Sequence, residues 1–129
     1  MKLVINSNPK ELRKVRLEVE LFCKANFTSF DSSKAILAVD EAIQNVIRYA
    51  YNMEQDQTIE FFFRKTESSE LEVKIRDYGK QIPLENIKPR DINDVKPGGL
   101  GVYFIKKCSK SSSYEHLPNG IGTQLTMIF

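Results

Sequence analysis

The order of segments predicts an α/β two-layer sandwich, an α+β fold in which a mostly antiparallel, mixed sheet carries three helices on one face. Three observations support this. Two segments near the N-terminus repeat apolar residues at helical spacing, and a hairpin of alternating strands follows them. A long polar loop then leads into a third helix and two closing strands, giving the order β-α-α-β-β-loop-α-β-β.

Lys2 to Asn6 reads as a short strand. Ser7-Asn8-Pro9 reads as a helix start, with a capping polar residue ahead of a proline in the first turn. Leu12, Val15, Val19, Phe22 and Cys23 fall at i, i+3, i+7, i+10 and i+11, the pattern of an amphipathic helix over 9–26. Thr28 to Ser33 is a connection rich in capping residues. Ile36, Val39, Ile43, Val46, Ile47 and Ala50 then form the stripe of a second, longer helix reaching about Tyr51. Thr58–Lys65 is a strand with three consecutive phenylalanines, and Glu67-Ser68-Ser69 a tight turn. Leu71, Val73 and Ile75 alternate with Glu72, Lys74 and Arg76, as in a half-buried antiparallel strand. Residues 79–99 scatter glycine and proline through polar sequence, and a loop of that length suits a functional lid. A third helix is expected from Leu100 to about Ser109. Strands over Ser112–Leu117 and Thr123–Phe129, joined through Pro118-Asn119-Gly120, complete the sheet.

Composition narrows the function classes. The 129 residues have room for a single domain over 1–129, and 41% apolar with 28% charged residues is the balance of a soluble globular protein. Nineteen basic against 17 acidic residues give a net charge of +2, too mild for a protein that lives on nucleic-acid phosphate. No apolar run approaches the ~20 residues of a membrane span. The N-terminus lacks the pattern of a secretory signal. Cys23 and Cys108 sit among apolar neighbours outside any metal-type spacing, so two reduced, buried thiols and a cytoplasmic location are expected.

Four pieces of sequence have chemical potential. Glu41, Asn45 and Arg48 lie at i, i+4 and i+7, so they share a helix face roughly opposite the apolar stripe. By themselves they equally describe the solvated back of an amphipathic helix. Asp77-Tyr78-Gly79 closes a strand, where a carboxylate can accept a ligand N–H, although Asp and Gly are also ordinary turn formers. Pro97-Gly98-Gly99-Leu100-Gly101 precedes a helix. Its backbone N–H groups and roughly half a positive charge at the helix start suit an anion, or the glycines serve only as a hinge. Gly122-Thr123 opens the last strand and means little in isolation. His116, the single histidine, reads as structural. With one histidine and no cysteine cluster, the sequence shows neither a zinc site nor a Ser-His-Asp triad.

Taken in order, these pieces resemble a known set of motifs. Asp40-Glu41-Ala42-Ile43-Gln44-Asn45 with Tyr49-Ala50-Tyr51 resembles the N-box of the GHKL (Bergerat-fold) ATPase and kinase superfamily. Asp77-Tyr78-Gly79-Lys80-Gln81-Ile82-Pro83 resembles its first glycine box, Gly99-Leu100-Gly101-Val102-Tyr103-Phe104-Ile105 the second, and Gly122-Thr123 the third. The compact Glu-Ala-x-x-Asn-x-x-x-x-Ala-Tyr pattern is most similar to bacterial anti-sigma regulatory factors, which are serine-protein kinases. Gln81 stands where the first box usually has a small or apolar residue, and Tyr49 where the N-box usually has histidine. Lys96 is the nearest substitute for a basic residue usual before the second box.

The resemblance implies ATP and Mg²⁺ as cofactors, held between helix 2 and the lid over about 79–99. Asp77 would accept the adenine amino group, supported by Thr123, with Gly79 allowing close approach of the base. Asn45 would ligate the metal, and the Gly99, Leu100 and Gly101 amides would hold phosphates, with Arg48 and Val102 also in the nucleotide site. Glu41 would accept the proton of the attacking serine, and Arg16 would lie on the partner surface. The implied partners are a sigma factor and an anti-anti-sigma substrate, in a homodimeric protein without direct nucleic-acid or membrane contact. Within the same resemblance, a module that binds ATP and switches partners without phosphotransfer is the alternative.

Overall fold

Helical spacing and strand alternation build two layers, and a computed structural model describes them over residues 1–84 and 100–129. β1 (Lys2–Asn6) leads into the expected helix start. The Asn8 side chain accepts the Lys10 N–H at 3.0 Å, and Pro9 opens the first turn. That turn, Pro9–Glu11, is 3₁₀, so α1 itself runs Leu12–Asn26. Asp31 begins the next helix by accepting both the N–H of Ser33 at 3.0 Å and its hydroxyl at 2.7 Å.

The second helix departs from expectation. α2 is α-helical over Ser33–Asn45, and the chain then widens into a π turn, Val46–Ala50. The Tyr51 N–H bonds the Val46 carbonyl at 3.0 Å, and the Met53 N–H bonds that of Ile47 at 2.7 Å. The anchor of this end is Tyr51, a buried ring whose hydroxyl donates to the Thr58 carbonyl and accepts the Tyr78 N–H at 2.7 Å. Burial pushes that phenol up to about 12.

β2 (Thr58–Lys65) and β3 (Leu71–Lys80) form the expected hairpin. β3 continues four residues past Arg76, so Asp77, Tyr78 and Gly79 lie inside the strand rather than at its mouth. α3 (Leu100–Cys108), β4 (Ser111–His116) and β5 (Ile121–Ile128) complete the chain. The sheet order is β1-β2-β3-β5-β4, and each pairing is antiparallel, so the mixed sheet is replaced by a fully antiparallel one. Most of the expected lid, residues 85–99, lies outside the described residues, and its first two residues belong to β3.

Ile59, Phe61 and Phe63 of β2 point to the same side as Leu71, Val73 and Ile75 of β3. They form one core with Val15, Val19 and Cys23 of α1, Val39 and Ile43 of α2, and Ile105 of α3. Each such side chain contributes about 1.5–3 kcal/mol on burial. Ala35, Ala38 and Ala42 are buried at i, i+3 and i+7, small enough to let neighbouring elements close on α2, which packs on both α1 and α3. Cys23 is buried and its thiol is pushed up to about 11 by burial, whereas Cys108 is half-buried; both are free. No described helix is long and apolar enough to cross a membrane.

Candidate functional site

A buried carboxyl on the helix-bearing face is the centre of the candidate site. Asp77 follows Val73 and Ile75 in strand alternation, so its side chain turns toward the helices and is 5% exposed. Thr123 of β5 stands directly opposite it in the antiparallel register. Asp77 Oδ1 accepts the Gly79 N–H at 3.0 Å. Burial raises its pKa above the ordinary aspartate value, and the neighbouring backbone N–H groups of Gly79 and Thr123 partly oppose that rise.

The backbone around Asp77 is shaped by a bulge. Asp77 pairs with Thr123 and Lys80 with Ile121, so β3 has one residue more than β5 between these pairs. Two glycines make this possible. A Cβ on Gly79 would run into the Ala50 carbonyl and stand 2.9 Å from Cδ1 of Tyr51. At Gly122, with φ +90°, a Cβ would lie 2.5 Å from the Asp77 carbonyl oxygen. Gly79 therefore seats the end of the second helix on β3, a requirement that exists before any ligand arrives.

Glu41 and Asn45 occupy successive turns of α2 and are both half-buried, so they lie on its flank and not on a solvated back. Arg48 falls in the π turn, outside the regular α-helical face. It is exposed, with its guanidinium 5.8 Å from the centre of the Tyr49 ring. Arg16 of α1 is engaged within the chain: its guanidinium makes a bidentate bond to Asp40, at 3.0 and 2.6 Å to Oδ2 and 3.0 Å to Oδ1. Its charge is further favoured by that carboxylate. Gly99 lies outside the described residues, Leu100 and Gly101 form the first turn of α3, and Val102 is buried. The structure thus joins Asp77, Gly79 and Thr123 directly and links them to the second helix through Ala50 and Tyr51.

Tyr51 is the residue whose role the sequence hid. It closes an apolar helical stripe and reads there as one more core aromatic, although a tyrosine at a buried position needs a partner for its hydroxyl. His116 lies in the same cross-strand row as Asp77 and Thr123, exposed, with Nε2 2.7 Å from the Ile82 carbonyl. Among the described residues no three His, Cys, Asp or Glu side chains group as a metal site. A single amide oxygen at Asn45 fits Mg²⁺, which keeps several waters and takes its remaining oxygens from phosphates.

The family model described as the histidine kinase-like ATPase domain matches residues 5–129. The chain belongs to this family. Its fold is shared with the SiaB–SiaC complex from Pseudomonas aeruginosa, at TM-score 0.69 and 15% identity over 98% of this chain and 89% of that one. It is also shared with the RsbU and RsbW domains of Rv1364c from Mycobacterium tuberculosis, at TM-score 0.64 and 14% identity over 99% of this chain. The histidine kinase domain of the Erythrobacter litoralis EL346 blue-light activated histidine kinase aligns at TM-score 0.57 and 15% identity, over 97% of this chain and 65% of that one. This chain covers 32% of that Rv1364c chain, about a third of its length. No curated protein sequence matches.

Proposed function

We propose that this chain is an ATP-dependent serine-protein kinase that acts as an anti-sigma factor, phosphorylating an anti-anti-sigma protein and sequestering a sigma factor as a homodimer. The buried Asp77 carboxyl carries the reading. It accepts the Gly79 N–H on the helix-bearing face of the sheet and keeps acceptor capacity for a further N–H, as a base amino group offers. The family assignment supports ATP as the ligand, and RsbW and SiaB, named in the similar structures, support a partner-switching role.

Bound ATP supplies the phosphoryl group, with Mg²⁺ neutralising its charge. Asp77 would hold the base with Thr123 in support, and the N–H groups of Gly99, Leu100 and Gly101 would hold the phosphates. Asn45 offers its amide oxygen to the metal. Glu41, one turn earlier on the same flank of α2, takes the proton of an incoming serine hydroxyl. Phosphoryl transfer asks mainly for positioning and charge neutralisation, so this sparse set suffices.

Glu41→Ala should leave ATP affinity nearly intact and slow transfer to the partner serine by about 10²–10⁴-fold, the usual worth of a positioned base. Asn45→Ala should weaken Mg²⁺-dependent binding and transfer together. Titration calorimetry and labelled-ATP incubation with a co-purified partner measure both. Two silent variants would overturn the kinase reading. ATP binding by the wild type without any transfer would instead leave a nucleotide-loaded partner switch.

A further inference from the structure

The β3 bulge interrupts the ladder beside Asp77, and a side chain bridges the interruption. Beyond the bulge, Nε2 of Gln81 donates to the Leu117 carbonyl at 3.0 Å and to the Gly122 carbonyl at 2.8 Å. These carbonyls flank the Pro118–Gly120 turn, and the Leu117 N–H itself bonds the Gly122 carbonyl at 3.0 Å. Gln81 therefore grips both sides of the closing pair of the β4–β5 hairpin. Gly122 directly precedes Thr123, which stands opposite Asp77 in the antiparallel register. On its other side Gly122 has no room for a side chain against the Asp77 backbone.

We infer that Gln81 is a positioning residue for the Asp77–Thr123 pair, holding the start of β5 so that Thr123 stays opposite Asp77 and sets base selectivity. The inference uses the nucleotide reading above for its functional consequence, while the contact itself rests on the geometry. An amide suits the position because both of its hydrogens find carbonyl oxygens. A carboxylate there would offer no donor and would face two oxygens, and a methionine would fill the space without donating.

Gln81→Met and Gln81→Glu test it, with Gln81→Gly as the variant that relieves both shape and charge if either of the others fails to fold. Amide hydrogen exchange read by NMR should show Thr123 N–H exchange speeding by about tenfold, the loss of roughly one hydrogen bond's net worth. Calorimetry with ATP·Mg²⁺ and GTP·Mg²⁺ should show ATP binding about tenfold weaker and the ATP-to-GTP preference narrowed. Equal losses for the two nucleotides would reduce Gln81 to a general stabiliser and overturn the selectivity role. Unchanged Thr123 exchange would overturn the positioning itself. A wild-type protein that binds no ATP would defeat the nucleotide reading and with it the selectivity role, and Thr123 exchange would still decide the contact.

Discussion

Asp77 and Gln124 are polar residues at neighbouring points of the same two paired strands, each 5% exposed, yet they face opposite sides of the sheet. Gln124 belongs to a chain of side chains crossing three strands. Its Oε1 accepts from Arg76 Nε at 3.1 Å and from the same guanidinium's terminal nitrogen at 2.7 Å, and its Nε2 donates to Glu115 at 2.8 Å. A neutral amide between a cation and an anion is satisfied on both sides. Asp77 accepts one backbone N–H, from Gly79 of its own bulge, and its charge is disfavoured by burial. A carboxylate has about four lone-pair directions, so acceptor capacity remains. Burial therefore marks neither residue as functional. Unused acceptor capacity is what separates the ligand-facing group from the structural one.

The sharpest way to break this contrast is to replace each residue and measure ATP. Asp77→Asn should weaken ATP binding by about 10- to 100-fold, the equivalent of one charge-assisted hydrogen bond, while Gln124→Met leaves it unchanged in the same titration. Tyr51→Phe attacks the support of the Asp77 region without touching the carboxyl. It leaves the Tyr78 N–H and the Thr58 carbonyl without their partner and should cost about 1–3 kcal/mol in urea unfolding. Gln124→Met should cost about 1 kcal/mol, because Arg76 and Glu115 can turn partly to water.

The smallest effect is in pH. Asp77 has its folded pKa raised, so the native state keeps a proton that the unfolded chain has lost. Its contribution is fully present below the usual carboxylate range and is lost as pH rises through the raised value. Urea unfolding of wild type and Asp77→Asn across that window should show the variant gaining relative stability as pH rises. A constant difference would mean that Asp77 titrates as an ordinary exposed carboxyl.

Much of the fold was legible because it follows from periodicity. Val15, Val19 and Cys23 identified the buried side of α1, and the alternation from Leu71 to Ile75 identified β3. The Asn8-Pro9 start was readable because a cap acts through residues two apart. The end of α2 was not. Val46, Ile47 and Ala50 continue the helical stripe, and what widens the winding is the attachment of Tyr51 to the start of β2 and to β3. The bulge after Asp77 was hidden for the same reason: Gly79 looks like a turn residue until the Ala50 carbonyl beside it is known. In the site, Asp77 and Thr123 came from motif order, and their register from the sheet. Arg16 came from resemblance alone, which could not show its attachment to Asp40.

Because Val46–Ala50 is wound with hydrogen bonds five residues apart, it stores more chain per turn than an α-helix does. Deleting a single residue there would let regular α-helix run to its end. The Ala50 carbonyl would then leave its seat beside Gly79, and the Tyr51 phenol would swing away from Thr58 and Tyr78. The segment thus works as a length standard between α2 and the strand bearing Asp77. The number of residues in it, more than the identity of the exposed Arg48 and Tyr49, keeps that distance.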